Sequence, residues 1–159
     1  MLRQFPFFQQ LDSMDCGPSC LRMIAQYYGR HYPLQYLRER CYLDREGVSL
    51  QGIMEGADSI SLRTLPLKLP FSSSDPDEPS LQDVQLPCIV HWNQNHFLVV
   101  YKMDKKHVWI ADPARERLKI SHREFKTHWI SDGDKGIALV LETTPEFYEQ
   151  EEEKADRRR

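Results

Sequence analysis

The chain has 159 residues, a formal net charge of -3, 40% hydrophobic and 28% charged residues, the make-up of one soluble globular domain. The slight negative charge argues against a nucleic-acid binder, which carries a basic patch or stripe. No apolar run nears the roughly 18 residues a membrane-spanning helix needs, and neither G-x-x-x-x-G-K-[ST] nor G-x-G-x-x-G is present for phosphate or dinucleotide binding.

Residues 1–14 hold Arg3 as their one positive charge and no apolar core segment, so no secretory signal is read there. The first predicted helix runs from Pro18 to Tyr28, with Leu21, Ile24, Tyr27 and Tyr28 at helical spacing. Gly17-Pro18 opens it and Gly29 closes it as a left-handed cap. A short second helix begins after Pro33, with Leu34, Leu37 and Cys41 on its apolar side. A third begins at Ser49 and lines up Leu50, Ile53, Met54 and Ala57. All three stripes read as packing faces.

Ser72 to Ser80 is polar and proline-bearing, an exposed loop within one domain. Beyond it, Cys88–Trp92, Phe97–Tyr101, Val108–Ala111 and Ile137–Leu141 are β-rich apolar runs. Ser121 and Glu124 predict a capping box for a short helix ending at Trp129. From Glu142 onward charge dominates, and the segment is expected to fray. The order is helices first and strands second.

Four cysteines, Cys16, Cys20, Cys41 and Cys88, fit reduced thiols in a cytoplasmic setting. Cys16 and Cys20 share a helix face, which admits a zinc reading, but the paired C-x-x-C pattern of a strong zinc site is absent. Cys16 stands at a helix entrance, where unpaired N–H groups and the helix dipole favour an anionic sulfur. Gly17 beside it would let a substrate backbone approach.

A thiol nucleophile needs a base, and the base an orienting group. Six histidines compete. A hairpin centred near Asp104 would set His96 opposite Asp112 on one face, letting the carboxylate hold the imidazole. A bulge would break that register, and the plainer alternative is a strand start and a turn. Gln9 and Gln10 lie upstream as side-chain amides that could assist an oxyanion or remain solvated.

The string Q-L-D-S-M-D-C-G-P-S-C-L from Gln10, the N-H-F-L-V-V around His96 and the A-D-P-A around Asp112 together resemble the signature of peptidase family C39. These are the double-glycine leader peptidases at the N-terminus of bacteriocin-processing ABC exporters. The resemblance runs in order from residue 5 to about residue 145. Ser19 stands where alanine is common, a small-for-small change.

The resemblance implies a papain-like α+β fold, N-terminal helices packed on a C-terminal antiparallel sheet. It implies Cys16 as nucleophile, His96 as general base and acid, Asp112 as orienting carboxylate and Gln10 as oxyanion donor beside the Cys16 N–H. The implied activity is a cysteine endopeptidase cutting a precursor peptide after a double-glycine-type pair, with no cofactor or metal in this domain. ATP would serve a separate domain of the parent transporter.

Residues 1–145 would form the peptidase domain. Residues 146–159, ending Arg157–Arg159, would be a charged linker to transmembrane and ATPase domains on the cytoplasmic face of the bacterial inner membrane. A free-standing peptidase is the alternative arrangement. A non-catalytic leader-binding domain and a structural zinc domain are the alternative functions.

Overall fold

Asp15 opens the first helix, α1 (Cys16–Tyr27), in this computed structural model, which describes residues 4–42 and 47–149. The helix ends at Gly29, whose φ of +97° is the left-handed stop anticipated from its position. α2 (Leu34–Arg40) follows Pro33, and α3 (Leu50–Ser59) is capped by Ser49, whose hydroxyl accepts the Gly52 N–H at 3.1 Å. Leu21, Ile24, Leu37, Ile53 and Ala57 meet between the three helices.

Seven strands follow: β1 (Leu62–Pro70), β2 (Cys88–Trp92), β3 (His96–Met103), β4 (His107–Ala111), β5 (Arg117–Ser121), β6 (Ile130–Asp132) and β7 (Lys135–Thr143). They form one sheet in the order β1-β7-β2-β3-β4-β5, with β6 also on β7, and every pairing is antiparallel. α4 (His122–Trp129) starts at Ser121, whose hydroxyl accepts the Glu124 N–H. This is the expected α+β arrangement.

The two sheet faces carry separate cores. Ile89, Phe97, Val99, Ala111 and Leu139 face α1–α3. Val90, Leu98, Val100, Ile110 and Ala138 face α4, where Phe125 and Trp129 pack with Phe71. Period-2 alternation along β2, β3 and β7 supplies both faces from the same strands, which explains their nearly continuous apolar runs.

Strands β1, β5 and β6 were not foreseen. β1 contains Pro66 and ends on Pro70, residues that demote a segment when read locally, but it lies at the sheet edge, where a missing N–H costs no ladder bond. β6 has three residues, too few to show a period.

The chain beyond Glu142 corrects the expected frayed tail. β7 continues to Thr143, a helical segment occupies 145–149, and Phe147 is wholly buried in the core between the sheet and α1–α3. The Arg30 guanidinium donates to the Phe147 carbonyl and lies against its ring. The packed unit therefore includes Phe147, beyond the expected boundary at 145. The expected charged linker from residue 150 lies outside the described residues.

Candidate active site

Cys16 is the first residue of α1 and only 5% exposed. The helix's first internal bond runs from the Ser19 N–H to the Asp15 carbonyl at 2.9 Å. The N–H groups of Cys16 and Gly17 therefore precede the helix's own ladder, at the end where the dipole attracts negative charge. Pro18 has no N–H to offer.

Gly17 has a different use from the one expected. A Cβ at this position would lie 2.9 Å from Ile53 Cγ1 and closer still to Val48. The missing side chain lets α1 seat against α3 and the segment before it. It packs the helix and does not open a path for substrate.

His96 begins β3, and its Nε2 lies 2.7 Å from Asp112 Oδ1. Burial alone would lower the imidazole pKa. Hydrogen bonds to the Asp112 carboxylate and the Cys16 thiol, together with their charges, outweigh it and raise the pKa to about 9. With Nε2 engaged by Asp112, Nδ1 is the nitrogen left for the sulfur.

The route by which His96 and Asp112 meet differs from the expected cross-strand pair. β3 and β4 align Val99 with Ala111 and Val100 with Ile110, then shift at a bulge around Tyr101. Continuing that ladder would set Asp112 opposite Leu98, two residues from His96. Because strand side chains alternate with a period of two, the two-residue offset keeps His96 and Asp112 on one face as diagonal neighbours. The Asp112 carboxylate also accepts the Ala114 N–H at 3.0 Å, and the turn closes with Arg115 N–H on the Asp112 carbonyl. This Asx-type turn fixes a carboxylate that is 4% exposed.

Gln10 joins the site through its backbone, which donates to the Pro113 carbonyl at 2.8 Å. Its amide nitrogen donates to the Asp12 carbonyl at 3.1 Å, while its Oε1 is buried without a hydrogen-bond partner. The predicted oxyanion donor is thus anchored beside the Asp112 turn, with its N–H turned toward its own loop.

The remaining thiols are packing groups. Cys20, Cys41 and Cys88 are wholly buried; burial pushes Cys20 well up and raises Cys41 and Cys88 to about 12. Among the described residues, no cluster of His, Cys, Asp and Glu could hold a metal ion, and no helix is long and apolar enough to cross a membrane.

Three supports escaped the sequence reading. Arg38 reaches from α2 to place Nε 2.8 Å from Asp15 Oδ1. His128 Nδ1 is 2.8 Å from Asn93 Oδ1, and the Asn93 N–H donates to the His128 carbonyl, tying the β2–β3 turn to α4. His91 stacks on Phe97 and lines a cleft of about 370 Å³ with Val48, Leu50 and Asn95; burial, then His96, lowers its pKa. Of these, only the turn had a local signal, since Asn93 and Gln94 adopt the left-handed backbone that asparagine tolerates.

A family model described as the peptidase C39 family matches residues 4–146. The colicin V secretion/processing ATP-binding protein CvaB of Escherichia coli is 32% identical over 145 residues, covering 91% of this chain and 19% of that protein. The transport/processing ATP-binding protein ComA of Streptococcus pneumoniae is 29% identical, over 91% of this chain and 20% of its own length. Among solved structures, a double glycine motif protease from an AMS/PCAT transporter, in complex with the leader peptide, matches with a TM-score of 0.74 and 28% identity, covering 89% of this chain and 93% of that one. The peptidase domain of Streptococcus ComA matches with a TM-score of 0.74 and 27% identity, covering 89% and 100%. The chain spans about one fifth of the length of these curated relatives.

Proposed function

The chain belongs to the peptidase C39 family, and from that premise we propose that it is a cysteine endopeptidase domain that cuts a precursor peptide after a double-glycine-type pair. The observation carrying this reading is that one imidazole, His96, is held by the Asp112 carboxylate at 2.7 Å and has its pKa raised to about 9 by Asp112 together with the neighbouring Cys16 thiol. A strong base beside a sulfur at a helix N-terminus favours the thiolate–imidazolium pair, the reactive state of a thiol nucleophile.

The Cys16 sulfur attacks the carbonyl carbon of the scissile bond. The oxyanion forms at the helix entrance, where the Cys16 N–H donates to it. Gln10 supplies the second donor once its amide turns so that nitrogen replaces oxygen at the buried position. His96 passes its proton to the leaving amine, the C–N bond breaks, and a thioester remains on Cys16. His96 then takes a proton from water, which attacks the thioester and releases the leader's new carboxylate. Asp112 holds the imidazole and stabilises its cationic form throughout.

The leader-peptide substrate is supported by the structural match to a double glycine motif protease held with its leader peptide. The relatives' names, which join secretion or transport to processing and ATP binding, support placement in an ATP-driven exporter. The proposal extends this to transmembrane and ATPase domains as partners and to the cytoplasmic membrane face as the site of action. The deciding experiment incubates the domain with a peptide whose leader ends in Gly-Gly and locates the cut by mass spectrometry. Cleavage after the second glycine, lost in Cys16→Ala, is the expected result. An uncut peptide, or cleavage that survives Cys16→Ala, overturns the proposal.

A further inference from the structure

Asp15 sits immediately before the nucleophile and is 2% exposed. An aspartate at this N-cap position ordinarily accepts a backbone N–H from the first helical turn, most often that of the third residue. Here that residue is Pro18, which has no N–H, and Asp15 makes no side-chain capping bond. Its carboxylate turns instead to Arg38 of α2, with Asp15 Oδ1 and Arg38 Nε 2.8 Å apart and both atoms shielded from solvent. A buried anion thus lies one residue from a sulfur that must itself become an anion, and among the described residues one guanidinium, that of Arg38, faces it.

We propose that Arg38 is a positioning residue for the reaction: by neutralising the buried Asp15 carboxylate, it removes an electrostatic penalty on a thiolate at the adjoining Cys16. Through Asp15, it also pins the entrance of α1 to α2. The inference rests on the assignment of Cys16 as nucleophile. Among the described residues, the ionisable groups that interact with the thiol are His96 from β3, Cys20 one turn along α1 and Cys41 after α2. Asp112 faces His96 and Cys20, Asp15 adjoins Cys16 in the chain, and Asp12 faces Asp15 from the preceding loop. Among these neighbours His96 supplies positive charge directly to the sulfur, whereas Arg38 acts on it through the carboxylate. Burial and Asp12 both disfavour the Asp15 carboxylate, and Arg38 opposes them.

The test is the rate of Cys16 carbamidomethylation by iodoacetamide against pH, located by peptide mapping, with folding followed by circular dichroism. Without Arg38, an uncompensated carboxylate on the residue next to Cys16 moves the acid limb of the profile to higher pH in Arg38→Met, lowering the rate at about pH 6.5 by up to about tenfold. Asp15→Asn removes the anion and moves the limb to lower pH, and the double variant lies between the two. A purely structural role would shift both single variants the same way, or neither, and either outcome overturns the inference. Should Arg38→Met fail to fold, Asp15→Asn decides: a downward shift supports the inference, and no shift or an upward one overturns it. If wild-type Cys16 shows no fast alkylation near neutral pH, the nucleophile assignment fails as well; a reactive wild type with unmoved variants removes this inference alone.

Discussion

Asp112 Oδ1 accepts from two directions at once, lying 2.7 Å from His96 Nε2 and 3.0 Å from the Ala114 backbone N–H. The second bond is local and holds the carboxylate still; the first carries that rigidity across to β3. An imidazole so held has one free nitrogen in a fixed direction, which a general base requires.

The same contact makes stability depend on pH. The folded-state pKa of His96, about 9, lies above its ordinary 6.5. Its contribution is fully present below about pH 6.5 and is lost as pH rises through about 9. Asp112→Asn should therefore destabilise the domain most near pH 6, by up to a few kcal/mol, with the gap narrowing by pH 10. Urea unfolding of both proteins across this range checks the sign, and a gap that widens with pH would contradict it.

Gln10→Ala should lower kcat by roughly 10²–10³-fold with KM little changed, the signature of a donor used in the transition state. Leader-peptide cleavage kinetics measure this. An unchanged kcat would return Gln10 to the structural role already visible in its bond to Pro113.

Gly17→Ala adds a methyl group less than 3 Å from Ile53 Cγ1. Alanine's better helix propensity, about 1 kcal/mol, does not offset overpacking of about 1–3 kcal/mol between α1 and α3. Thermal melting should show a net loss of stability, and because Cys16 rides on the shifted helix, activity should fall as well.

Phe147→Ala should cost about 3–5 kcal/mol, the usual loss for a fully buried phenylalanine. A chain ending at Glu146 should be similarly weakened. Chemical denaturation of both variants measures how firmly the segment after β7 belongs to the domain.

The helices were legible because each carried its own punctuation: Gly17-Pro18 and Gly29 around α1, Pro33 before α2, Ser49 before α3. The strands buried on both faces were legible as apolar runs. β1 was not, because the edge position that excuses Pro66 is a fact about neighbours 70 or more residues away in β7. The tail misled for a related reason: Phe147 stands among charges in the chain, and it is the core between the helices and the sheet, with Arg30 on its carbonyl, that gives it a place to be buried.

The sequence by itself determined the chemistry available: a cysteine at a helix entrance, a histidine at the start of one strand and an aspartate at the end of the next, in an order that resembles one peptidase family. Tertiary structure alone decided how they meet. The observed β3–β4 ladder, shifted by one residue at the bulge around Tyr101, points Asp112 toward Leu98 instead of His96, and because that offset is two residues the even period of the pleat keeps His96 and Asp112 on a common face. Tertiary structure likewise decided that Gly17 serves packing and that Arg38, 22 positions after Cys16, reaches the residue beside the sulfur. Local pattern records what a segment can do in isolation. Burial, charge pairing and register depend on which distant segments come to lie against it.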